Sequence, residues 1–128
     1  MSSKVKLSVL IVEDNPDHVD LCRQFMLPEE FDLFIARSGA ECLSAIKARP
    51  YDVVLMDYLL PDTNGMDLLP RVHEFQPNAI IIFVTAMDDS KLSYQALQAG
   101  ASDYMIKGFG YFRDLPQRIR EAVEDRSC

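Results

Sequence analysis

Leu7-Ser8-Val9-Leu10-Ile11-Val12 runs straight into Glu13-Asp14-Asn15-Pro16-Asp17. A stretch so rich in Leu, Ile and Val reads as a strand covered on both faces, because a strand with one wet face alternates apolar and polar residues. Asn15 then offers an N-cap, Pro16 a preset first helical residue and Asp17 an acid in the first turn, so a helix begins at once. A buried strand turning directly into a helix is the opening of a parallel α/β unit, and the two acids between them stand at the strand's carboxyl end.

The alternation recurs four more times. Apolar segments at Phe31 to Ala36, Asp52 to Met56, Ala79 to Val84 and Asp103 to Ile106 are each followed by a stretch of helical period. Ser38-Gly39-Ala40-Glu41 is a capping box for a helix with Leu43 and Ile46 inward, and Pro50 ends it. Asp88 or Asp89 caps the stretch Ser90 to Ala99, with Gly100 at its stop. Phe112, Leu115, Ile119 and Val123 give the last helix a buried stripe. Pro70, inside Asn64 to Phe75, is expected to remove a backbone bond and kink that helix. Strand then helix, five times, predicts an α/β doubly wound parallel sheet with helices on both faces. No repeat or linker interrupts it, so residues 1–128 read as one domain.

The 128 residues carry 13 Lys plus Arg against 20 Asp plus Glu, a net charge of −7, and 48% are hydrophobic. That is ordinary globular material. The acidic balance argues against a nucleic-acid binder, which needs a basic face. Cys22, Cys42 and Cys128 show no CxxC spacing, which suits a reducing compartment and signals neither disulfides nor zinc. No apolar run nears the roughly twenty residues that span a bilayer, and Met1-Ser2-Ser3-Lys4 lacks the apolar region of a secretory signal. The expectation is a cytoplasmic domain without a membrane partner.

The chemistry lies at the carboxyl ends of these segments. The first runs into Glu13-Asp14, the third into Asp57, the fourth into Thr85 and the fifth into Lys107. Open parallel sheets bind ligands outside the carboxyl ends of their strands. Three carboxylates together repel one another, which a hard divalent cation such as Mg²⁺ resolves. Asp57, after the segment expected to be central, is the candidate nucleophile for a phosphoryl group. Lys107 would neutralise charge on that group and Thr85 would donate a hydrogen bond to one of its oxygens. Arg37, after the second segment, has no assigned role.

Taken together, Val9 to Asn15, Asp52 to Asp57, Leu60-Pro61-Asp62 with Asn64-Gly65, Val84-Thr85-Ala86 and Gly100 to Lys107 are similar to the receiver domains of two-component response regulators, of the single-domain, chemotaxis-regulator-like kind. The resemblance implies a flavodoxin-like sheet of order 2-1-3-4-5. It implies a phosphoacceptor at Asp57, supplied by the phosphohistidine of a sensor kinase or a phosphotransfer protein. It implies Mg²⁺ held by Glu13, Asp14, Asp57 and the backbone carbonyl of Leu59, a switch pair of Thr85 and Tyr104, and Lys107 paired with the phosphoryl group. Such a domain catalyses only its own phosphorylation and dephosphorylation, and is otherwise no enzyme. Drawing Thr85 toward the phosphoryl oxygens opens space into which Tyr104 rotates, altering the face around Ala86 to Gly100 and the last helix, where a downstream protein binds.

Two departures from the family stand out. Gly108 replaces the proline that usually follows the lysine, which makes Gly108-Phe109-Gly110 a flexible loop, and Pro70 interrupts the third helix. Leu59 and Met87, two residues past Asp57 and Thr85, are apolar where members tune self-dephosphorylation, implying a long-lived phosphoryl group. His18 and His73 have no partner at metal spacing and read as surface residues. Cys22 and Cys42 read as core, Phe112 as core, and Phe109 and Tyr111 as covering a loop edge. The competing functions are a phosphate-independent interaction module and a flavodoxin-type cofactor carrier. The acidic Glu13-Asp14-Asn15-Pro16 loop, without the glycines a phosphate cradle needs, disfavours the latter.

Overall fold

The computed structural model describes residues 6–86, 88–108 and 110–127. All five apolar segments are strands, each leading into a helix: β1 (Leu7–Val12), α1 (Pro16–Phe25), β2 (Phe31–Ala36), α2 (Gly39–Ala48), β3 (Val53–Asp57), α3 (Gly65–Phe75), β4 (Ile80–Thr85), α4 (Ser90–Gln98), β5 (Asp103–Ile106) and α5 (Tyr111–Ser127). The strands form one sheet in the order β2-β1-β3-β4-β5, with every neighbouring pair parallel. β3 and β4 lie one residue later than the apolar pattern suggests. The ladder continues as long as a backbone partner exists: Asp57 pairs with Val84 and Thr85 with Ile106. Both polar residues are therefore the last of their strands, held by the sheet rather than by a loop.

Strand periodicity splits the core into two layers, since alternate side chains leave opposite faces. Val9, Ile11, Val53, Leu55, Ile80, Ile82, Val84 and Met105 pack with Cys22 of α1 and Leu115 and Ile119 of α5. Leu10, Val12, Val54, Met56, Ile81 and Phe83 pack with α2, α3 and α4 through Cys42, Ile46, Leu69, Val72 and Ala96. Cys22 and Cys42 are both buried and free, as expected. Burial pushes the Cys22 and Cys42 thiols up to about 12, so both are inert fillers.

Caps form where the sequence places them. The Asn15 side chain accepts from the Asp17 backbone N–H at 2.9 Å, and Asp89, the second of the two candidates, caps α4. Gly100 closes α4 at φ +118°, a left-handed conformation that glycine adopts without strain. The capping box is offset by one residue: Ser38 accepts from the Glu41 N–H at 3.1 Å, while Glu41 accepts from Arg37 rather than from the cap itself. α3 continues through Pro70, an exposed residue, on a face where water can satisfy the carbonyl the proline leaves free. α5 also contains a proline, the buried Pro116, which the apolar stripe gave no reason to single out.

Gln76 is the buried polar residue that ties three elements together. Its Nε2 donates to the carbonyls of Ile46 at 2.9 Å and Arg49 at 2.7 Å, and its Oε1 accepts from the Tyr51 N–H at 2.9 Å. These bonds finish the C-terminus of α2 and aim the chain into β3. Gln76→Met keeps the volume but orphans three backbone groups. It is expected to cost about 2–4 kcal/mol, read as a lower denaturation midpoint with an unchanged urea slope.

Candidate functional site

The rows of the α1/α5 layer also decide which side chains meet beyond the sheet. Val9 and Ile11 lead to Glu13, Val53 and Leu55 to Asp57, and Met105 to Lys107, each two residues further along. All three turn to the same side. The Lys107 Nζ donates to Asp57 Oδ2 at 2.7 Å and to Glu13 Oε1, closing an acid–ammonium–acid bridge across β1, β3 and β5. Asp14, the next residue, is exposed, and oxygens of Glu13, Asp14 and Asp57 lie within 4.8 Å of one another.

The electrostatics of this cluster favour cations. Burial raises the Asp57 carboxyl above its ordinary pKa, and Glu13 adds to that, while the Lys107 hydrogen bond pulls the other way. Burial alone would lower Lys107, but its hydrogen bonds to Asp57 and Glu13 outweigh that and raise it, so it stays an ammonium. Three carboxylates face one ammonium, leaving uncompensated negative charge. Their oxygen-only donor set fits a hard divalent cation that keeps some of its waters.

Thr85 and Tyr104 belong to the opposite layer. Thr85 follows Ile81 and Phe83 in the row that faces α2, α3 and α4, and it is buried. Tyr104 registers with Phe83 and stacks on it, 5.9 Å between ring centroids and 14° between planes. Tyr58, the residue after Asp57, is tilted against the same Phe83 ring, also at 5.9 Å between centroids. A row of three rings thus crosses β3, β4 and β5 from the neighbour of Asp57 to Tyr104.

The loop after β3 is clamped at both ends. Leu59 pairs with Asn64 in an antiparallel bridge. The bonds flanking it run from the Gly65 N–H to the Tyr58 carbonyl at 2.7 Å and from the Leu60 N–H to the Thr63 carbonyl at 3.2 Å, so neither uses the Leu59 carbonyl. The Leu59 N–H reaches Asp57 Oδ1 at 3.3 Å. Asp62 accepts from the Gly39 and Ala40 N–H groups at 2.7 and 3.0 Å, which holds its carboxyl below the usual range. A loop residue thereby completes the N-terminus of α2. The Leu59 side chain is exposed, and Met87, its counterpart in the expected shielding of the phosphoryl group, lies outside the described residues.

Two readings need correction. His18 is no surface bystander: its Nδ1 lies 3.0 Å from the Lys107 Nζ and 3.4 Å from Glu13 Oε1, and its ring meets Phe112 at 5.4 Å. Helical spacing places His18 beside the buried Val19, but only the docking of α1 against the fifth strand end brings it to the lysine. Tyr111 is buried rather than covering a loop edge, while Phe112 is only partly buried. Tyr111 and Cys22 line the space beneath Glu13, Asp57 and Lys107. Gly108 is not in a left-handed conformation, and its N–H donates to the Ile106 carbonyl at 2.8 Å, a bond that proline could not make. Phe109 and Cys128 lie outside the described residues. His73 is exposed, as expected.

Comparison with known proteins agrees with this geometry. The family model for the response regulator receiver domain matches residues 9–120. The regulatory protein LuxO of Vibrio cholerae is 35% identical over 97 residues, which cover 76% of this chain and 21% of that protein. The transcriptional regulatory protein KdpE of Mycobacterium tuberculosis is 36% identical over 115 residues, 90% of this chain and 50% of that protein. The chain therefore spans about a fifth of the one relative and half of the other. Among solved structures, a CheY-like response regulator receiver domain protein from Methanospirillum hungatei superposes with a TM-score of 0.87 at 30% identity, covering 96% of this chain and 98% of that one. With its doubly wound sheet and the acid–lysine cluster at the strand ends, the chain belongs to the response regulator receiver domain family.

Proposed function

We propose that Asp57 is the phosphoacceptor of this receiver domain, fed by the phosphohistidine of a sensor kinase or phosphotransfer protein. One observation carries the reading: the Lys107 ammonium is 2.7 Å from Asp57 Oδ2, at the end of a central strand beside two further acids. An Asp57 oxygen forms the new O–P bond as the donor's N–P bond breaks, and the electron pair departs with the imidazole. Lys107, already charged and positioned, meets the charge that develops on the phosphoryl oxygens. Thr85 donates to one of them. Glu13, Asp14, Asp57 and the Leu59 carbonyl would hold Mg²⁺, which supplies further charge neutralisation to the phosphoryl group when bound.

Occupancy of Asp57 biases Thr85 and Tyr104 toward a second arrangement and so alters the surface beyond β4. Tyr94, Leu97 and Ile106 are exposed apolar residues of α4 and β5, a face suited to a downstream protein partner. Among the described residues no helix is long and apolar enough to cross a membrane, and the free, buried thiols suit action in the cytoplasm.

The test is intact mass after incubation with Mg²⁺ and a small phosphodonor such as acetyl phosphate. One added phosphoryl group, lost when the cation is chelated beforehand, is the expected outcome. A folded, cation-binding chain that gains nothing would instead be a phosphate-independent interaction module.

A further inference from the structure

Lys107 has three N–H groups, and each has a partner: Glu13 Oε1, Asp57 Oδ2 and His18 Nδ1. An ammonium cannot accept a hydrogen bond, so a ring nitrogen 3.0 Å from it must present its lone pair. Two of the three partners are acids of the cluster. His18 differs: it comes from α1, and its ring is braced by Phe112 of α5 at 5.4 Å. With two anchors, the lysine head can still rock about the line joining them; a third anchor stops that motion.

We propose that His18 is a positioning residue for phosphoryl uptake, its Nδ1 fixing the Lys107 ammonium so that one N–H stays aimed at Asp57. The proposal rests on the reading of Asp57 as acceptor. It differs from a packing role because it assigns the effect to one acceptor atom, not to the ring.

Two variants separate these roles. His18→Phe keeps a ring against Phe112 and removes the acceptor, whereas His18→Asn places an amide oxygen at the position of Nδ1. Uptake from acetyl phosphate at saturating Mg²⁺ is expected to slow roughly tenfold in His18→Phe, the scale on which orienting partners act, and to stay within about threefold of the parent in His18→Asn. A second measurement reads the bond directly: long-range ¹⁵N–¹H correlation of the imidazoles at mildly alkaline pH. It should place the His18 proton on Nε2, and Lys107→Met should shift the Nδ1 of His18 but not that of His73.

Parent-like uptake by His18→Phe overturns the proposal, as does a His18→Asn chain as slow as His18→Phe, which would leave only ring packing. A proton on Nδ1, or an Nδ1 indifferent to Lys107→Met, overturns it by the other route. A parent that takes up no phosphoryl group is a different failure: it removes Asp57 as acceptor and the positioning role with it.

Discussion

An Asp57→Asn chain is expected to gain no phosphoryl group under any condition that modifies the parent, and to melt higher than the parent in cation-free buffer. The first outcome rests on chemistry: an amide is not the nucleophile that a carboxylate is. The second rests on the site's electrostatics. Burial, countered only in part by Lys107, holds the Asp57 carboxyl above its ordinary pKa. For an acid raised in this way, the stabilisation is present at low pH and is lost as pH climbs through the folded-state value, so at neutral pH the ionised group is a net cost. Asparagine removes the charge and still presents an oxygen to Lys107. A rise of roughly 3–5 °C, about what 1 kcal/mol is worth in a chain of this size, should appear in a thermal melt. Residual phosphorylation would move the acceptor to Glu13 or Asp14. A lower melting point would mean that Asp57 contributes more through its ion pair than its burial costs.

Gly65→Ala is expected to be the most damaging single-carbon change. A Cβ there would stand 2.7 Å from the Asp57 carbonyl oxygen, 3.0 Å from Phe83 Cε2 and 3.2 Å from Tyr58 Cα. Two of those neighbours are backbone and cannot swing away. The Gly65 N–H also clips onto the Tyr58 carbonyl at 2.7 Å, so α3 starts in contact with the residues that end β3. Relief requires moving either the helix or Asp57. The cost should be about 2–3 kcal/mol, a fall of roughly 10 °C in the melt, with slower phosphoryl uptake even at temperatures where the chain stays folded. Gly108→Ala is the matched control: nothing lies within 4 Å of its added carbon, and its stability should match the parent within about 0.5 kcal/mol. If Gly65→Ala behaves like that control, the loop is softer than its contacts imply.

Fold and acid cluster were legible in the sequence for one reason: both depend on local period and on where each strand stops. Glu13, Asp57 and Lys107 continue apolar rows at a spacing of two residues, so the sheet itself carries them to one side. Thr85 was readable as the residue at a strand's carboxyl end and Tyr104 as a strand residue, and register sends both to the other layer. Contacts made by rigid-body docking of helices leave no such trace. His18 meets Lys107 across 89 positions of chain, and Asp62 reaches Gly39 across 23. Gln76 looked like any polar residue ending a helix, yet it is 5% exposed and fully bonded. Tyr111 sits one residue before the apolar stripe that the period picks out, which assigned the burial to Phe112 instead.

The ring row from Tyr58 through Phe83 to Tyr104 has an optical consequence. The chain has five tyrosines and no tryptophan, so its near-ultraviolet emission is tyrosine emission alone. Two of those five fluorophores flank Phe83 beside the strand ends that carry Asp57 and Thr85. The molecule thus holds a label-free spectroscopic gauge of the carboxyl edge of its own sheet, unmasked by any brighter indole elsewhere in the chain.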